Sequence, residues 1–166
     1  MSYVYAFFVG DLIKFGRYLL AIVLLVSGIS KCFYFHSFSA EVSLYSELYV
    51  SSVFVPFSEQ IAIAVCSVEI LLGILSFFTK FTLFSTFTVS VLMLFFLYLT
   101  GVNYLFPTLL GRIESCQCFG DLIHFSAKGS FIKTVVLCAV SFTTFYLVVK
   151  EKQTSLYKRR VIRKAK

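Results

Sequence analysis

At 166 residues, 59% of them hydrophobic and 19% aromatic, with only 14% charged and a mean hydropathy of +0.91, the chain falls outside the composition of a soluble domain. Its length accommodates about four membrane-spanning helices of roughly 20 residues with short connections, and no second domain. The net charge of +7 is not a nucleic-acid footprint, because the positive residues gather at one end instead of lining a face.

Taken in order, residues 1–14 read as an aromatic, apolar segment without a capping pattern, suited to the membrane interface, where Tyr3 and Tyr5 would rest comfortably. The first span is expected over 15–35, with Arg17 near its start, Lys31 near its end, and the small residues Ser27 and Gly28 available for close helix contact. Lys14 and Arg17 ahead of an apolar run imitate a secretory signal. Lys31-Cys32-Phe33, however, offers neither a small-x-small cleavage site nor a lipobox, so this span is expected to be retained.

Residues 36–56 turn serine-rich, with Glu41 and Glu47 among Phe38, Val42, Leu44, Tyr45 and Leu48, a mixture that predicts a short interfacial helix in the first outer loop, ended by Pro56. The second span, 58–78, carries Glu69. At 1.5 Å per residue this carboxylate lies on the order of 15 Å into the hydrocarbon, where it needs a partner, a proton or water. Lys31 is the nearest basic residue by depth, and its long stem can reach inward. Structural pairing and a proton or ligand role are both open. A tight turn at Lys80 leads to the third span, 82–99, which has no ionisable group.

Residues 100–128 form the longest polar connection, broken by Gly101, Asn103, Pro107, Gly111 and Gly120, and they hold Ser115-Cys116-Gln117-Cys118-Phe119-Gly120-Asp121. The fourth span, 130–149, contains Cys138 and releases a tail, 150–166, with Lys150, Lys152, Lys158, Arg159, Arg160, Arg163, Lys164 and Lys166 against Glu151. Such a tail marks the cytoplasmic side, with binding of anionic lipid or a partner as an added role. Four spans then put both termini in the cytoplasm and both longer loops outside.

This topology sorts the five cysteines. Cys66 and Cys138 fall within spans and read as inert small hydrophobes. Cys116 and Cys118 fall on the outer, oxidising side, and Cys32 is the other thiol at that depth, a candidate resolving thiol. Thiols two residues apart suit a strained, exchangeable disulfide, a static disulfide that includes Cys32, or a soft-metal clamp with His36 or His124. No zinc-type C-x2-C spacing is present, and no metal is expected.

With Arg17 opening the first span, Ser27-Gly28-Ile29-Ser30-Lys31 closing it, Glu69-Ile70-Leu71-Leu72-Gly73 in the second and Cys116-Gln117-Cys118-Phe119-Gly120 before the fourth, the chain resembles the DoxX-like membrane proteins, and among them the methylamine utilisation protein E (MauE) branch, over about 16–149. The resemblance implies an all-α, four-helix bundle in the bacterial inner membrane. It also implies an association with thiol–disulfide chemistry, beside a thioredoxin-like protein, in maturing a disulfide-rich periplasmic enzyme. Where the family often has glycine between the cysteines, this chain has Gln117, which lacks glycine's access to positive φ. No residue points to methylamine.

The expected function is that of an inner-membrane component of periplasmic thiol–disulfide exchange or disulfide maturation, a thiol–disulfide oxidoreductase acting through Cys116 and Cys118. A quinone in the bundle is the candidate electron acceptor, with Glu69 taking up protons. The alternative is a non-enzymatic accessory or scaffold subunit of a cell-envelope complex, with structural cysteines. The partners expected are the lipid bilayer, a thioredoxin-like or disulfide-containing client, or envelope-complex subunits, and no nucleic acid.

Overall fold

The computed structural model describes residues 2–105 and 127–164, all of whose regular structure is helical. Five α-helices follow in chain order: α1 (Ser2–Phe33), α2 (Phe35–Tyr45), α3 (Ser58–Leu75), α4 (Thr82–Leu105) and α5 (Ala127–Lys164). A π-helical turn at Ser46–Val50 and a 3-10 helix at Ser52–Phe57 join α2 to α3, and a 3-10 turn at Thr79–Phe81 joins α3 to α4. Four segments are long and apolar enough to cross a bilayer: Val9–Phe33, Ser52–Leu75, Thr79–Leu105 and Lys128–Ser155. The all-α, four-span architecture with a short helix between the first two spans is therefore the one expected.

The solvent preference of the fold is inverted relative to a soluble protein. Exposed positions are filled by Phe84, Phe87, Val91, Leu94, Phe95 and Tyr98 along α4, and by Ile22, Val26 and Ile29 along α1. Buried positions include Arg17, Lys31, Glu69, Asn103 and ten or more serines and threonines. An apolar exterior around a polar interior is the arrangement that a hydrocarbon surround selects.

Each helix buries one stripe. On α3 it is Ala62, Cys66, Glu69, Leu72 and Gly73; on α5 it is Ser130, Thr134, Cys138, Ser141, Thr144 and Val148, mostly small residues that let helices approach closely. Thr134 and Thr144 return their hydroxyls to carbonyls four residues back, and Ser141 instead meets Ser90 of α4 at 2.7 Å. A hydrophobic core joins Leu20 and Leu24 of α1, Leu72 of α3, Val89 and Met93 of α4 and Cys138 of α5.

The first helix runs from Ser2 without a break through residues 2–14. Lys14 reaches Asp11 three residues back at 3.2 Å, a pairing that helical geometry favours and that leaves no reason for a break there. At the other end α1 stops at Tyr34, whose φ of −105° and ψ of 40° turn the chain so that α2 lies against the first half of α3. A second cluster forms there from Phe38 of α2 with Ala62 and Cys66 of α3. The side of the bundle where α1 ends, α2 packs and α4 gives way to α5 is called the α2 end below.

Candidate functional site

The site is built where α1 and α3 touch. A Cβ added at Gly28 would lie 2.8 Å from Ile70 Cγ1 and 3.3 Å from the Ile70 backbone nitrogen. Farther along, a Cβ at Gly73 would lie 2.7 Å from Leu25 Cγ. These two glycines bring antiparallel backbones into contact that larger residues would prevent. At that depth, water cannot serve a charged side chain, so polar groups must find one another.

They do so around Glu69, which is fully buried. Lys31 Nζ, 2% exposed at the residue level, donates to Glu69 Oε1 and forms a salt bridge with it. Ser27 Oγ, one turn earlier on α1, donates to the same oxygen at 3.5 Å. Glu69 Oε2 has no hydrogen-bond partner among the described residues. The Lys31 ammonium also lies 5.1 Å from the centre of the Phe38 ring and 4.8 Å from that of Phe96, so α2 and α4 each turn an aromatic ring toward it. Cation–π contact and ion pairing together offset the desolvation of an ammonium.

Lys133 of α5 completes the centre. Its charge acts on Glu69 together with that of Lys31. The three groups line a cavity of about 30 Å³ with Ser27, Phe96 and Thr134. Glu69 is thus paired directly with Lys31 beside a second lysine that lines the same cavity. Sequence reading missed Lys133. The available signal was its position three residues inside the fourth span, shallow enough to pass for a flanking lysine.

Above this centre, toward the α2 end, a larger cavity of about 300 Å³ opens between α2, α3 and α4. Phe38, Val42, Phe54, Ile61, Val65 and Phe95 make its apolar walls, and Lys31 reaches it from below. Glu41, Tyr45, Ser46 and Thr100 bring polar groups to its rim. Size, apolar walls and a few polar groups are the attributes of a small-molecule pocket. Thus α2, expected as an interfacial helix in a loop, also walls this cavity.

Arg17, the third intramembrane polar residue singled out in the sequence, lies away from this centre. Its Nη2 donates to the Ser76 carbonyl at 2.7 Å, just past the end of α3. Ser76 Oγ in turn contacts Ser85 Oγ of α4 at 2.7 Å. The guanidinium meets the negative end of the α3 dipole and ties α1 to the α3–α4 turn.

The thiols separate into three places. Cys138 belongs to the main hydrophobic core. Cys66 is buried beside Phe38 and Ala62, and the Cys32 thiol acts on it from the last turn of α1. Cys116 and Cys118, with His124, lie outside the described residues. Among the described residues no three His, Cys, Asp or Glu side chains converge in a way that could hold a metal ion.

A family model described as methylamine utilisation protein MauE matches residues 9–147, which include all four apolar segments in whole or in large part and the connection between α4 and α5. No curated protein and no solved structure matches the chain.

Proposed function

The chain belongs to the MauE family of membrane proteins, and from that premise we propose that it is an inner-membrane component of periplasmic thiol–disulfide exchange or disulfide maturation, working through Cys116 and Cys118. The observation that carries this reading is the family match itself, which extends across the connection holding the C-x-C pair. The orientation that goes with it has both termini in the cytoplasm, following the basic residues of the C-terminal tail. The α2 end then faces the periplasm, where disulfides form and persist.

In the proposed cycle one thiolate of the pair attacks a disulfide in a thioredoxin-like or client protein, forming a mixed disulfide. The second thiol displaces the client sulfur, so the client leaves as a dithiol and the pair is oxidised. The reverse sequence oxidises the client. The bundle contributes a rigid support on which α4 and α5 hold the two ends of the connection. A quinone, the acceptor expected from the sequence, fits the 300 Å³ cavity by its apolar walls. Lys31 is the residue that would hold a carbonyl oxygen there, and a bound quinone supplies a two-electron, two-proton sink.

Mass-tagged alkylation of the full chain in intact cells, with and without prior reduction, tests the proposal. Cys116 and Cys118 are expected to populate both dithiol and disulfide, and their ratio to shift when the periplasmic thiol oxidants are removed. Finding both thiols free under every condition, or locked in a disulfide that no physiological donor reduces, rejects it in favour of an accessory subunit of a cell-envelope complex.

A further inference from the structure

We propose that Cys32 and Cys66 form a second redox couple, a dithiol built into the contact between α1 and α3 that exchanges with protein disulfides presented at the α2 end. Both observations behind it are geometric. Gly28 brings α1 against Ile70 of α3. One helical turn beyond Gly28 on α1 is Cys32, and one turn before Ile70 on α3 is Cys66, so antiparallel helices in contact at the first pair face the second pair as well. The Cys32 thiol acts on that of Cys66 across this contact, and both residues are free thiols.

The pair is unequal in the way exchange chemistry requires. Cys32 lies in the last turn of α1 and is exposed, whereas Cys66 is 3% exposed and packed behind it against Phe38 and Ala62. Only Cys32 is placed to meet an incoming disulfide. Its thiolate attacks one sulfur of the partner, breaking the partner's S–S bond and forming a Cys32–partner mixed disulfide; the released partner sulfur takes up a proton. Cys66 then attacks Cys32 Sγ, the intramolecular disulfide forms, and the second partner sulfur leaves as a thiol. The two protons lost by Cys32 and Cys66 balance the two gained by the partner, and the partner disulfide is the only oxidant.

This couple does not depend on Cys116 and Cys118 being the exchanging pair, since any protein disulfide that reaches the α2 end serves. The test therefore uses membranes containing the full-length Cys116→Ser/Cys118→Ser variant. These are equilibrated in a series of reduced and oxidised glutathione buffers, acid-trapped, denatured, and alkylated for peptide mapping. Cys32 and Cys66 are expected to lose alkylation together, with a matching gain of a peptide linking 32 to 66, while Cys138 stays alkylated throughout. In a Cys32→Ser version Cys66 should remain alkylated in every buffer. Should the double replacement fail to insert, the same linked peptide is sought in the wild-type chain.

Full alkylation of both thiols in the most oxidising buffer overturns the couple, and so does a disulfide that joins either to Cys138 or to a second chain. A Cys32→Ala/Cys66→Ala variant in which Cys116 and Cys118 still cycle separates the failure of this couple from the failure of the loop pair.

Discussion

Replacing Glu69 by Gln puts the charge balance of the buried centre to a quantitative test. The carboxylate holds the ammonium of Lys31 directly, and Lys133 lines the same small cavity. Removing it leaves the Lys31 ammonium without its carboxylate, beside a cavity of only about 30 Å³. Breaking a buried pair by deleting one partner costs about 3–5 kcal/mol, the loss expected for Glu69→Gln. Lys31→Met is gentler. It leaves Glu69 opposite Lys133 and forfeits the ion pair plus two ring contacts of about 0.5–2 kcal/mol each, partly recovered by the thioether against Phe38 and Phe96.

The expected order of stability is wild type, then Lys31→Met, then Glu69→Gln, with Lys31→Met/Glu69→Leu less damaging than the sum of its parts by about 2 kcal/mol. The chain has no tryptophan. Thermal unfolding in detergent is therefore followed by a thiol-reactive dye reporting exposure of the buried Cys66 and Cys138. A loss of about 4 kcal/mol lowers the midpoint by on the order of 10 °C. If Glu69→Gln melts within a few degrees of wild type, or above Lys31→Met, the idea that the Glu69 carboxylate holds the buried centre together is wrong.

Two further outcomes follow from the helix contacts. Gly28→Val places a branched side chain where a single Cβ already comes within 2.8 Å of Ile70 Cγ1, so α1 and α3 must separate; a loss of about 1–3 kcal/mol is expected in the same melt, and Cys66 should react with the dye faster at room temperature. Arg17→Leu deletes the charged hydrogen bond to the Ser76 carbonyl. It should cost about 1.5–3 kcal/mol, with protease sensitivity rising at the Lys80 turn and not in α2.

Much of this architecture was legible in the sequence because hydrocarbon enforces simple rules. Apolar runs of spanning length fixed the number of helices, and the matching depths of Lys31 and Glu69 made their pairing a natural expectation. What escaped was the information that needs a rotational register. Lys133 does not stand out because a lysine near a helix end normally snorkels outward; only the turn of α5 brings it to the cavity that Glu69 lines. Likewise, nothing in a one-dimensional reading of α3 says that Cys32 stands across from Cys66. Helix α2 has the mixed composition of an interfacial segment, and its role as a cavity wall follows from the bend at Tyr34, which no proline or glycine announces. Cys116 and Cys118, the residues on which the sequence reading placed most weight, lie outside the described residues.

The position of Lys31 as common wall of the two cavities has a thermodynamic consequence. Any electron-rich molecule entering the larger space competes with Glu69 for the same ammonium, so occupancy and ion pairing are linked. Whatever weakens the hold of Glu69 on Lys31 must raise the affinity of the upper cavity for such a guest by the same factor, and a bound guest must loosen the pair in return.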